Sequence, residues 1–195
     1  MIDQTSKILA IILYLVQIYI NLKYGGSIGK ISNSLNLEII PSNWVFSIWL
    51  IIYSFQIYML LDITDYEASK IFIPHAFSVL FNISWIMAFT NLNFGLATIF
   101  ILGLLASIIY VLINNKTNKI INNFYSLYFG WISIATFLSA STWIVYTLGI
   151  TFNQNLVFII YLSFILSIST FNLFTIIPYI LVCFDLLFVK SLNII

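Results

Sequence analysis

Charge is what this chain has least of. Lysine and arginine number seven and aspartate and glutamate six among 195 residues, 7% charged in all, and every cation is a lysine. Soluble domains carry about a quarter of their residues as charges, so this chain has too little polar surface to close as a globule in water. A net charge of +1 without a basic tract gives nucleic acid nothing to hold, and no nucleic-acid partner is expected. The one cysteine, Cys183, excludes an intrachain disulfide and a cysteine-cluster metal site. With a single histidine, His75, there are no paired-histidine motifs either, and no metal site is assigned. Neither a phosphate-cradling glycine loop nor a serine–histidine–aspartate order occurs, so catalysis has no positive signal and no catalytic residue is named.

What the chain has is apolar bulk: 62% hydrophobic and 18% aromatic residues, with a mean hydropathy of +1.09. That composition predicts a multi-pass integral membrane protein with the lipid bilayer as its surroundings. Lipid satisfies no backbone polar groups, which leaves helices or a closed barrel. The apolar runs are continuous and do not alternate with period two, so an all-α protein is expected. Spans are predicted at about 8–22, 44–61, 71–90, 94–113 and 124–148, and 155–190 fits two shorter ones with a turn near 169–172. Lys7 before the first apolar run resembles a signal peptide, but no small-residue cleavage pattern follows, so a retained helix is expected. Residues 23–43, with Gly25, Gly26, Gly29 and several Ser and Asn, read as a polar loop in the position of a lid. Pro178 is expected to bend or shorten the last helix. Lysine counting places Lys7, Lys70, Lys116 and Lys119 on one side and Lys23, Lys30 and Lys190 on the other, a small bias toward a cytoplasmic amino terminus.

Polar and aromatic residues fall in stripes. Phe46, Trp49, Tyr53 and Gln56 share one helical face just after Pro41, as do Tyr14, Gln17 and Asn21 on the first helix. His75, Ser78, Asn82 and Trp85 form one stripe on the third helix, which must face the bundle interior or a wet cavity. The fifth helix has two non-lipid faces, one of Tyr128, Trp131, Ala135, Ser139, Thr142 and Tyr146 and one of Thr136, Ala140 and Trp143, as a central helix would. Gly103 and Ser107 read as close helix packing. Each stripe has a plainer alternative: the Phe46–Tyr53 rings as interhelical packing, Trp44 and Trp143 as interface anchors, Asn82 as hydrogen-bond glue. The acidic turn 62–67 is read as a solvated connection ahead of a cation site, His75 as a satisfied histidine ahead of a haem ligand, and Asp185 as an acid reaching the interface.

Three of these stretches together resemble the tryptophan-rich sensory protein family, relatives of the mitochondrial translocator protein (TspO/MBR). They are Pro41-Ser42-Asn43-Trp44-Val45-Phe46-Ser47-Ile48-Trp49 through Tyr53, Phe81-Asn82-Ile83-Ser84-Trp85, and Tyr128-Phe129-Gly130-Trp131-Ile132-Ser133-Ile134-Ala135-Thr136. The resemblance covers about residues 8–148. The missing residue between Phe46 and Trp49 is more like the longer branch, which carries two extra carboxy-terminal helices. It implies a five-helix TspO-like transmembrane bundle over 1–148, with 23–43 as lid, plus two further transmembrane helices over 149–195. It also implies a receptor or carrier for a planar hydrophobic ligand, a tetrapyrrole (porphyrin or haem) foremost, with no required cofactor. The ligand-binding residues it implies are Phe46, Trp49, Tyr53, Asn82, Trp85, Tyr128, Trp131, Ala135 and Ser139, where Ser139 stands at the family's asparagine. A homodimer is implied because family members are often dimeric. A cholesterol-recognition pattern is not supported, since no Lys or Arg follows Tyr146. The alternative function is a structural or assembly subunit of a larger membrane complex with no small-molecule ligand; an enzyme acting on an isoprenoid or porphyrin is the weakest reading.

Overall fold

The computed structural model describes residues 2–35, 37–115, 117–168 and 172–189. Among them the chain forms seven α-helices and no strand: α1 (Ile2–Ser34), α2 (Ile48–Asp62), α3 (Asp65–Thr90), α4 (Phe94–Asn114), α5 (Lys119–Tyr146), α6 (Gln154–Ile168) and α7 (Leu173–Phe184). A 3₁₀ turn, Asn43–Ser47, leads into α2, and a π turn, Asp185–Val189, follows α7. Five helices, α1 to α5, are long and apolar enough to cross a membrane, while α6 and α7 are shorter. The protein is a multi-pass integral membrane protein built as a helical bundle.

One prediction fails clearly. Residues 23–34 are not a loop but the continuation of α1, which has 33 residues, so only the short connection before Asn43 remains where a lid of twenty residues was expected. Gly25, Gly26 and Gly29 each disfavour a helix in water by about 1 kcal/mol relative to alanine, yet glycine is well tolerated in spanning helices, and α1 continues through all three.

Helix ends elsewhere follow ordinary chemistry. Thr64 and Glu67 close a reciprocal capping box at the start of α3, which therefore begins six residues before the predicted span. Asn93, Asn118 and Asn172 accept backbone N–H groups at the starts of α4, α5 and α7. The acidic turn thus caps a helix: Glu67 also accepts from Asn118 Nδ2 at 2.6 Å, and no metal-binding cluster occurs among the described residues. Lys7 Nζ donates to the carbonyls of Leu61 and Ile63, joining the start of α1 to the α2–α3 turn.

α5 is the central helix, as its two polar faces predict. Of its residues, Tyr125 through Phe137 are buried without interruption. α3 packs between α1 and α4, α4 against α5, and α7 against the outer side of α5. Two glycines permit these approaches. A Cβ on Gly103 would lie 2.8 Å from the Phe81 ring, and one on Gly130 would collide with the carbonyl oxygen of Thr175 on α7. α7 runs through Pro178 and ends at Phe184, within twelve residues. Of the predicted turn near 169–172, residues 169–171 lie outside the described residues and Asn172 caps the start of α7.

Candidate functional site

The opening of α2 sets the geometry. No side chain caps the 3₁₀ turn from its own flank. Instead Asp185, from the far end of the chain, accepts the backbone N–H of Ser42 through Oδ2 and the indole N–H of Trp44 through Oδ1, both at 2.7 Å. Asp185 has no exposed surface. Each of its oxygens accepts one donor inside the protein, which is how a buried carboxylate is tolerated. A second tie joins the same region to α6. Glu38 N–H donates to Gln154 Oε1, and Asn155 Nδ2 donates to the Glu38 carboxylate at 2.9 Å.

Behind this opening lie two spaces that share Ile28, Phe46, Trp49 and Trp85 as walls. The larger is a cavity of about 680 Å³ between α1 and α2, within the range of small-molecule sites. α1 contributes Tyr14, Asn21, Gly25 and Gly29; α2 and its 3₁₀ turn contribute Phe46, Trp49 and Tyr53; Trp85 comes from α3. Its rim carries Leu22 and Leu50, 80% and 72% exposed, so the cavity opens sideways toward lipid. The smaller is a recess of about 40 Å³ whose walls include Phe46, Trp49, Trp85, Trp131, Ala135 and Ser139. Trp49 is the hinge between them. Its ring stacks on Tyr53 at 5.4 Å and meets Tyr128 and Trp131 edge-on at 6.2 and 6.0 Å. Phe46 adds a further edge contact with Trp131 at 5.8 Å. Such pairs hold each ring in one orientation.

The cavity backs onto an amide cluster that joins α1, α2 and α3. Asn82 Oδ1 accepts from Gln17 Nε2 at 3.2 Å and Asn21 Nδ2 at 3.0 Å, and Gln56 Nε2 donates to Gln17 Oε1 at 3.0 Å. Tyr14 donates to the carbonyl of Tyr53. These bonds tie α1 to α2 and α3. Further along, His75 Nδ1 pairs with Tyr125 Oη at 2.9 Å, fully buried. Several buried groups nevertheless have no protein partner among the described residues, including the indole N–H groups of Trp85 and Trp131.

The structure brings together most of the nine residues named from sequence. Phe46, Trp49, Tyr53 and Trp85 line the cavity, and Trp131, Ala135 and Ser139 line the recess with three of those rings. Tyr128 lies behind Trp49, and Asn82 lines neither space, serving as the acceptor of the amide cluster. Ser139 pairs with Thr98 of α4 at 3.2 Å. Reading 23–34 as loop hid Gly25 and Gly29, although they continue the register of Tyr14, Asn21 and Ile28 along one helical face. Nothing local to Asp185 announces its role, because its partners are more than 140 residues away in sequence.

Aromatic walls, a lipid-facing cavity and a buried helical scaffold fit a membrane protein that binds a ligand. A family model described as TSPO-like protein matches residues 4–189. No curated protein and no solved structure gives a match.

Proposed function

Since the chain belongs to the TSPO-like protein family, we propose that it is a membrane receptor or carrier for a planar hydrophobic ligand, a tetrapyrrole foremost, held in the cleft between α1 and α2. The observation that carries this reading is the cavity of about 680 Å³ walled by the rings of Phe46, Trp49, Tyr53 and Trp85. Flat ligands gain from offset or edge contact with such rings, and the stacked Trp49–Tyr53 pair offers a ready platform. Residues of the inner recess, Trp131, Ala135 and Ser139, support the platform from below. Tyr128 steadies Trp49, and Asn82 fixes the facing side of α1. The ligand rests on shape and ring contact, and its entry is sideways from the bilayer past Leu22 and Leu50.

Titration of the purified protein with protoporphyrin, followed by tryptophan quenching, tests this. Saturable quenching is expected, with affinity reduced about tenfold or more in Trp49→Phe and Trp85→Phe. Undiminished affinity in both variants would remove the cleft as the site.

A further inference from the structure

The outer face of α1 changes character along its length. Ile12, Val16, Tyr19, Lys23, Ser27 and Lys30 recur at helical spacing on one stripe, and all six are exposed. The cavity takes the opposite side of the helix, through Tyr14, Asn21 and Gly25. The first half of the stripe is apolar and aromatic; the second carries two ammonium groups with a hydroxyl between them. Neither lysine has an acidic partner among the described residues. Lys23 Nζ lies 5.3 Å from the centre of the Tyr24 ring, and Lys30 makes no polar contact with the protein. Acids at this end of the bundle are already engaged: Asp185 is enclosed by Ser42 and Trp44, and the Glu38 carboxylate accepts from Asn155. At the other end Lys70 and Lys119 share their surroundings with Asp62, Asp65 and Glu67.

Position along the bundle gives this stripe its meaning. The Asn21–Asn82 bond sets α1 in register with α3, so Lys23 stands level with about Ser84, six residues before α3 ends at Thr90. At 1.5 Å per residue that is roughly 9 Å inside the end of a spanning helix. A lysine placed there extends its stem along the helix and lifts its charge toward the headgroups. Lys30 stands level with Asn91, just past the same end, so the two ammonium groups approach one headgroup layer from below and above. From Ile12 to Lys23 the helix rises roughly 16 Å, about half the hydrocarbon thickness and hence the length of one leaflet's acyl chains. We propose that this face binds an anionic phospholipid, its phosphate held between Lys23 and Lys30 with Ser27 donating, and its chains along Ile12, Val16 and Tyr19. A zwitterionic lipid brings its own cation to the same place, so the two lysines select by net charge. The site lies outside the cleft between α1 and α2 and stands independently of the ligand reading above.

Native mass spectrometry of the purified protein tests this, with phosphatidylglycerol and phosphatidylcholine of identical acyl chains added in equal amounts. The wild type is expected to retain phosphatidylglycerol about tenfold or more over phosphatidylcholine, since each surface lysine contributes roughly fivefold. Raised ionic strength during incubation should shrink the preference. Lys23→Gln/Lys30→Gln should abolish it with an unchanged melting temperature, because both side chains lie outside the packed interior. Lys70→Gln/Lys119→Gln makes the same change in net charge and should leave the preference intact. Equal retention of the two lipids by the wild type, or retention of neither, would overturn the proposal. A preference that survives Lys23→Gln/Lys30→Gln, or that falls equally in both double variants, would overturn it as well. Should Lys23→Gln/Lys30→Gln alter the oligomeric mass and leave the lipid preference untouched, the face would belong to a second copy of the chain and not to a lipid.

Discussion

Asp185 faces two donors, so its replacements should differ by what they leave unpaired. Asp185→Asn keeps one acceptor oxygen and turns an N–H toward the other donor, at a cost of about 1–3 kcal/mol. Asp185→Ala leaves both the Ser42 N–H and the Trp44 indole without a partner and adds an empty volume, so its loss should be larger. Trp44→Phe removes one donor only, from a ring that is 43% exposed, and should cost least. Thermal unfolding in detergent is expected to rank wild type above Trp44→Phe, Asp185→Asn and Asp185→Ala in that order. Equal midpoints for all four would mean that these bonds do not hold the opening of α2. Because the held stretch leads directly to Phe46 on the cavity wall, Asp185→Asn should also weaken ligand binding several-fold.

Helix α1 departs from the usual relation between glycine and disorder. A Cβ built on Gly25, Gly26 or Gly29 meets nothing within 4 Å, so none of the three is required by close packing. Their effect differs by direction: Gly25 and Gly29 widen the cavity, whereas Gly26 does not line it. Gly29→Leu should therefore reduce ligand affinity about tenfold or more, with an unchanged or raised melting temperature, since removing a helical glycine gains up to about 1 kcal/mol. Gly26→Leu should match its stability and leave affinity alone; equal affinity losses in both would argue against the cavity. The same helix shows where the sequence is readable and where it is not. The stripes on α2, α3 and α5 were legible because periodicity places a polar or aromatic face inward whatever the neighbour is. The extent of α1 was not, because glycine and serine carry a propensity measured in water, whereas α1 is a spanning helix that continues through them. The role of Asp185 was not legible either, since a contact across more than 140 residues leaves no local pattern. Nor does the register of Asn82 tell whether its amide meets a ligand or, as found, two amides of α1.

At the scale of the whole molecule, α1 and α2 form a wedge. Lys7, Tyr14 and Gln17 bond across to α2 or the turn after it, all toward one end. Beyond them α1 leans on α3, through Asn21 and Asn82, and the space between α1 and α2 opens into the cavity. Its rim of Leu22 and Leu50 faces the hydrocarbon, and its wall is apolar apart from a few neutral groups. In a bilayer, acyl chains have access to such a wedge, and a ligand must displace them. The dispersion attraction that the acyl chains give up on leaving is restored by the ligand that replaces them, so selectivity falls to ring stacking. In vesicles of lipids brominated along the acyl chain, Trp49 should be quenched in the ligand-free protein, because its half-buried ring lines the wedge. Adding a tight-binding ligand that does not itself quench tryptophan should relieve part of that quenching, and Trp49→Phe should abolish most of the relief. Trp143, which packs over Gly95 away from the cavity, serves as the control, and Trp143→Phe should keep the relief intact. Relief of equal size with and without Trp49 would place lipid displacement elsewhere on the bundle and close the sideways route.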